Sequence, residues 1–193
     1  MAPPEPESPP AATPLDPLSR VAELASGFAS SGDLEATLVT AVERIAGHVG
    51  AEGGALFLLE EDGSALVCRA CTGPVRITGL RLEADRGIVG RCCQSDRIQR
   101  VRDVREDPHW NPDVDAETGF TTRSILCAPL RVQGRRLGAI ELVNKVSGAL
   151  FDDEDERLLG ALAASAALAL HNAQIAERLV ERERLEREVD LAA

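Results

Sequence analysis

An asparagine–lysine pair, Asn144–Lys145, stands one turn ahead of Phe151 and an unbroken run of five acidic residues, Asp152 to Glu156. A lysine and a carboxylate at this separation can pair and clip one element onto the next. Exposed, such a pair contributes roughly 0–1 kcal/mol; buried, losing one partner costs about 3–5 kcal/mol. The run also has a purely helical explanation. Asp152 is placed to cap a helix whose first turn holds Asp153, Glu154 and Asp155, where the helix dipole favours negative charge. Capping explains the acids but not the lysine, and the sequence leaves both readings open.

Two further stretches carry binding chemistry. Gly87-Ile88-Val89-Gly90 reads as a helix start, and the free N–H groups of such a start bind phosphate. Glycine at a strand–helix junction serves packing or turn chemistry equally well. The polar segment Asp107–Thr122, "DPHWNPDVDAETGFTT", is long for a connection inside a compact domain, and loops of that length are more often functional than accidental. It is expected to form a lid holding one or two helical turns. Trp110, the only Trp, and Phe120 would cover a site or anchor the loop to the core, while Thr118 and Thr122 offer hydroxyl donors.

Hydrolytic chemistry has no motif here: there is no nucleophile elbow, no H-E-x-x-H and no phosphate-binding G-x-x-x-x-G-K. The five cysteines are an odd count without a disulfide spacing. Cys68 and Cys71 form a C-x-x-C in a strand, where residues three apart point to opposite faces. Cys92 and Cys93 diverge on a helix, and all five cysteines, Cys127 included, read as small buried apolar residues. His48, His109 and His171 are scattered.

Acidic residues outnumber basic ones by 32 to 21, a net charge of −11. That balance argues against nucleic-acid and anionic-membrane binding. No apolar run approaches about 18 residues, so no membrane span is expected. The Pro-rich acidic N-terminus lacks signal-peptide features, and a cytoplasmic location is expected.

The elements that must position these residues follow from periodicity. Residues 1–14 read as a disordered Pro-rich tail. A helix with Val21, Leu24 and Phe28 on one stripe follows, ended by Gly32. A second starts at Asp33, with Leu34, Leu38, Val42 and Ile45 buried. "GALFLLEE" and "ALVCRAC" flank a hairpin signal, "DGS". A short strand, "LRLE", the helix from Gly87, the strand "IQRVRDV" and the lid come next. Then "RSILCAPLRV" and "LGAIELVNK" form a hairpin at "QGR". From Asp152 a helix of about 40 residues would extend about 60 Å. Its second half is charged around a thin seam of Leu179, Leu185 and Val189, as in a coiled coil. The class is α+β: a central antiparallel sheet of about six strands, helices on both faces, and a long exit helix.

From about residue 33 to 175 the chain resembles a GAF domain, a small-ligand sensor module, most closely the cyclic-nucleotide-binding type of phosphodiesterases and adenylyl cyclases. "GIVG", the segment Asp107–Leu130 and the stretch Asn144–Glu156 carry the likeness. The subgroup motif of Asn-Lys, a gap, Phe, three residues and Asp-Glu is met by Asn144, Lys145, Phe151, Asp155 and Glu156. The resemblance implies a structural latch of Lys145 on Asp155. It also implies phosphate contact by the backbone of Ile88 and Val89 beside Gly87, and base-recognising positions at Ala55, Ala70 and Cys71. Thr118 and Thr122 match pocket positions. Guanine-selective relatives often carry an acidic or hydroxyl group on the second strand, where this chain has Arg69-Ala70-Cys71-Thr72, so the base preference stays open.

The expected organisation is a tail over 1–14, a sensor domain over 15–175 and a coiled-coil linker over 176–193. The linker would join a homodimer to an output domain of serine-phosphatase or cyclase type. The expected function is regulatory binding of cyclic AMP or cyclic GMP, without catalysis, metal or cofactor. The alternatives are a dimerisation domain with a vestigial pocket or an unknown ligand, and, less favoured, a cysteine-based reductase of methionine sulfoxide or a chromophore sensor.

Overall fold

The computed structural model describes residues 34–191. The Pro-rich tail, the helix around Val21, Leu24 and Phe28, and the Asp33 cap lie outside the described residues. In chain order the elements are α1 (Leu34–Val49), β1 (Ala51–Leu59), β2 (Ala65–Thr72), β3 (Arg81–Glu83), α2 (Gly87–Ser95) and β4 (Gln99–Val101). A 3-10 turn (Val104–Glu106), α3 (Asp113–Thr118), β5 (Ile125–Val132), β6 (Arg135–Lys145) and α4 (Asp153–Leu191) complete the chain.

Local chemistry explains the hairpins. Between β1 and β2, Asp62 accepts the Ser64 N–H at 2.9 Å. Between β5 and β6, Gln133 and Gly134 both adopt left-handed backbone (φ 48° and 80°), the geometry that a two-residue hairpin needs to match strand twist. The six strands form one antiparallel sheet in the order β3-β2-β1-β6-β5-β4, as expected for the α+β class.

The two faces of this sheet differ. On one, α1 and the first part of α4 bury a core of large aliphatic side chains. Leu38, Val42, Ile45 and Val49 recur at helical spacing and meet Leu56, Leu126, Leu130, Ile140 and Leu142. Leu159, Leu162 and Leu170 close this layer from α4. The other face carries smaller residues, Ala55, Cys68, Cys127 and Ala139, with Phe57, Leu66 and Ile125 under α2. Small side chains there leave space between sheet, helix and lid.

The strand period is broken twice, once between β5 and β6, where Leu137 is left unpaired, and once between β1 and β2. Leu56 pairs with Ala70 and Phe57 with Cys68, so Arg69 is an unpaired bulge residue. The extra residue resets the alternation. Cys68 and Cys71, expected on opposite faces, both pack toward the α2 side, while Ala70 packs under the helices of the opposite layer. Nor are all five cysteines buried: Cys71 is half-buried.

Helix α4 runs 39 residues. Its sheet-facing residues end at Leu170, and Ile175, Leu179, Val180 and Leu185 are exposed beyond it. The side chain of Val189 lies outside the described residues. Ion pairs Arg182–Glu186 (2.8 Å) and Glu183–Arg187 (3.4 Å) line the charged half. The expectation that no segment is apolar enough to span a membrane does not hold by composition alone, since an 18-residue window of α4 reaches a mean hydropathy of 1.4. Much of that apolarity sits in Leu159, Leu162, Ala163, Ala166, Ala167 and Leu170, which are packed in the domain core.

Because Leu162 is fully enclosed between α4 and the sheet, Leu162→Ala is expected to cost about 2–5 kcal/mol in urea unfolding. Val146→Ala, on an exposed loop residue, is expected to stay within about 0.5 kcal/mol.

Candidate ligand-binding site

At the end of β6 the chain turns through Asn144 in the left-handed region (φ 51°), a conformation asparagine tolerates. Its buried side chain satisfies all its bonding groups. Oδ1 accepts the Arg123 and Ser124 N–H groups at 2.7 and 3.2 Å, while Nδ2 donates to Thr121 O at 3.0 Å and Glu52 Oε2 at 2.9 Å. Glu52 also takes Arg123 Nη2 at 2.6 Å. The hydrogen bond from Asn144, aided by Arg123, holds the Glu52 carboxyl below the usual carboxylate range despite some burial. Asn144 thus fastens the end of the lid to β6 and β1.

The next residue grips the exit helix. Lys145 Nζ donates to both oxygens of Asp155, at 3.0 and 2.7 Å. The side chains are 17% and 10% exposed, so the pair is largely desolvated. Asp155 has a second task. Its Oδ2 accepts the Asp152 N–H at 2.8 Å, while Asp152 Oδ1 accepts the N–H groups of Glu154 and Asp155 at 2.9 and 3.0 Å. This is a reciprocal capping box built from two aspartates. Latch and cap, the two readings of the acidic run, are therefore one arrangement. Phe151 is buried in the aliphatic core beside it. Glu156 stays outside the latch and pairs with Arg100 at 3.4 Å, next to an Arg100–Asp153 bond of 2.5 Å.

Between the small-residue face of the sheet, α2 and the lid lies a cavity of about 290 Å³. Ala55, Cys71, Gly87, Ile88, Val89, Trp110, Thr118, Phe120 and Thr122, each expected at the site, line it. Ala70 does not, because the bulge turns it to the other layer. Helix α2 begins at Gly87 (φ 71°) with no side-chain cap from Arg86, which leaves its first-turn N–H groups at the cavity edge.

The lid is fixed at both ends. Near its start, Arg91 of α2 holds Asp107 through two bonds of 3.0 and 2.8 Å, and Asp107 also accepts the His109 N–H at 2.9 Å. Burial raises the Asp107 carboxyl, but these donors outweigh it and hold the group below its ordinary range. At the far end, Asp115 takes the Thr122 N–H at 2.6 Å and its hydroxyl at 2.8 Å. Thr118 Oγ1 donates to Val114 O at 2.7 Å. Both threonine hydroxyls, expected as donors at the site, donate within the lid instead.

The geometry matches a known module. The GAF domain profile matches residues 33–170, well over half of the chain.

The chain belongs to the GAF domain family.

Over 142 residues it is 30% identical to a probable 3',5'-cyclic phosphodiesterase of Caenorhabditis elegans, a match covering 68% of this chain and 19% of that protein. The chain therefore spans about a fifth of that relative's length. Among solved structures, the GAF domain of a phosphoenolpyruvate-protein phosphotransferase from Coxiella burnetii superposes with a TM-score of 0.76 at 21% identity, covering 84% of this chain and 97% of that one. A free methionine-R-sulfoxide reductase from Neisseria meningitidis in complex with its substrate superposes with a TM-score of 0.69 at 23% identity, over 83% and 91%. These two likenesses concern the fold.

The floor of the GAF cavity holds the group that sequence reasoning missed. Cys71, Ala55, Glu141 and Cys127 form one cross-strand row on β2, β1, β6 and β5. Ala55 is the gap in that row, and Glu141 stands beside it, lining the cavity. Burial pushes the Glu141 carboxyl up to about 7, with the Asp115 charge adding to the effect. A signal was present: Glu141 is a lone acid in the apolar run "GAIELV", and here it is half-buried in the cavity floor.

Two outcomes follow for the site. Asp155→Ala removes both the ion pair and half of the capping box, so it is expected to cost about 3–5 kcal/mol, more than Lys145→Ala, by urea unfolding. Equal losses would show that the cap contributes nothing. Since Glu141 binds its proton more tightly folded than unfolded, its contribution is fully present below about pH 4.5 and fades as pH rises to about 7. Glu141→Gln is expected to flatten the decline of stability across that window, read from melting temperature against pH.

Proposed function

We propose that this GAF domain is a regulatory binding module whose cavity takes a cyclic nucleotide, cyclic AMP or cyclic GMP. One observation carries the reading: a single hollow combines an uncapped helix start, apolar walls and an acid on its floor. The first-turn N–H groups of Gly87, Ile88 and Val89 suit a phosphate, by backbone geometry and dipole. Ala55, Ile88, Val89, Trp110 and Phe120 offer the apolar slot for ribose and base, and the volume lies near the lower end of small-molecule sites, about 300–1,000 Å³. Glu141 supplies the polar group along the base edge. As a carboxylate it accepts purine N–H donors; protonated, it donates to a ring nitrogen. The acid that the second strand lacks thus comes from β6.

The phosphodiesterase relative supports the nucleotide class, and the matched latch motif supports the same subgroup. The exposed apolar residues Ile175, Leu179 and Leu185 of α4 support a homodimer through the exit helix, and that helix would pass the ligand's effect to a covalently linked output domain of phosphatase or cyclase type. A cytoplasmic site of action follows from such ligands. The role is binding, not catalysis.

Titration calorimetry at neutral pH tests this. Wild type is expected to bind at least one of the two nucleotides, and Glu141→Ala and Asp155→Ala to bind at least about tenfold more weakly, roughly 1.4 kcal/mol. Silence of folded wild type toward both nucleotides would overturn the cyclic-nucleotide reading and leave another small ligand or a vestigial pocket.

A further inference from the structure

Arg91 stands one helical turn after Gly87 in α2, so the helix whose first turn faces the cavity also carries this guanidinium. Neither Arg91 nor Asp107 lines the cavity, whereas Trp110 and Asn111, just beyond Asp107, do. A set of short bonds joins them. Arg91 Nη1 and Nη2 grip the two oxygens of Asp107 at 3.0 and 2.8 Å, with the side chains 26% and 14% exposed. Nη1 also donates to His109 Nδ1 at 2.8 Å. Asp107 in turn folds the next residues back on itself. Its Oδ1 accepts the His109 N–H at 2.9 Å, and its backbone carbonyl accepts the Trp110 N–H at 3.0 Å. Asn111 Oδ1 accepts the Asp113 N–H at 3.1 Å and carries the order on into α3. The Trp110 ring packs against the small-residue layer of the sheet.

Stability alone does not account for this placement. Arg91 Nε is buried with no hydrogen-bond partner among the described residues, and a buried donor left unmade detracts from stability. What the two-pronged grip does achieve is direction, because a planar fork fixes the carboxylate in orientation as well as distance. We infer that Arg91 is a positioning residue of the cavity: acting through Asp107, it holds the Trp110 indole over the hollow and ties that wall to the helix start facing the ligand.

The arrangement has a consequence for binding. A ligand whose anionic group settles on the first turn of α2 meets a wall already in place, so binding need not order Trp110. Loosening the grip on Asp107 leaves every lining residue present but frees the Trp110 wall, and binding must then order it. Only the identity of the ligand in this account rests on the cyclic-nucleotide reading; the placement of Trp110 does not.

Trp110 is the only tryptophan, so intrinsic fluorescence reports this wall directly. Arg91→Lys keeps the charge and removes the fork. In the ligand-free protein it is expected to shift Trp110 emission to the red and to raise quenching by acrylamide, while far-ultraviolet circular dichroism stays that of wild type. Asp107→Asn is expected to do the same. Arg105→Ala, which removes the exposed Arg105–Asp103 pair on the neighbouring turn, should leave emission and quenching unchanged. In calorimetry with the cyclic nucleotide that wild type binds, Arg91→Lys is expected to weaken binding about fivefold or more. In a Trp110→Ala background the same substitution should weaken it by less than about twofold. The inference is overturned if Arg91→Lys lowers the urea midpoint while Trp110 emission and quenching stay at wild-type values, because the pair is then merely structural. It is overturned equally if the loss of affinity persists undiminished without Trp110. Silence of wild type toward both nucleotides would sink the cyclic-nucleotide reading alone, and the fluorescence of the ligand-free variants would still decide the role of Arg91.

Discussion

Two adjacent side chains at the end of β6 hold three parts of this molecule together. Asn144 takes the left-handed turn and ties the lid's exit to β1. Lys145 then crosses to Asp155 and ties the exit helix to the sheet. A largely desolvated ion pair is weak evidence for stability as such, because desolvation offsets much of the attraction. Its value here is positional. Asp155 cannot leave Lys145 without also releasing the Asp152 N–H, so the direction of α4 and the end of the sheet are set by one carboxylate.

The two faces of the sheet divide the tasks of the fold. The α1–α4 face is filled with leucine, isoleucine and valine and supplies the cohesion of the domain. On the α2 face alanine and cysteine replace such residues, and the missing volume becomes the cavity. A hollow of that size forgoes dispersion contacts along its walls, which the opposite layer must offset. It also removes water from the Glu141 carboxyl, which burial pushes up to about 7. The lid completes the hollow, fixed by Asp107 to α2 and closed on itself by Asp115 and Thr122.

Alternation, turn chemistry and helical spacing determined the element order, the antiparallel class and the long exit helix from the sequence alone, because each depends on neighbours within a few residues. The Asn144–Lys145 and Phe151–Glu156 motif located the latch for the same reason, and "GIVG" and the Asp107–Thr122 segment located two walls of the cavity. What only the tertiary structure decided are facts of register and shared space. The bulge at Arg69 turned Ala70 away from the cavity and set Cys68 and Cys71 on the same face of the sheet. The pairing of β1 with β6 set Glu141 beside the gap left by Ala55. Folding of the lid onto itself consumed the hydroxyls of Thr118 and Thr122. Register is a relation between strands, and one inserted residue reverses every face after it; no single strand's pattern contains that information.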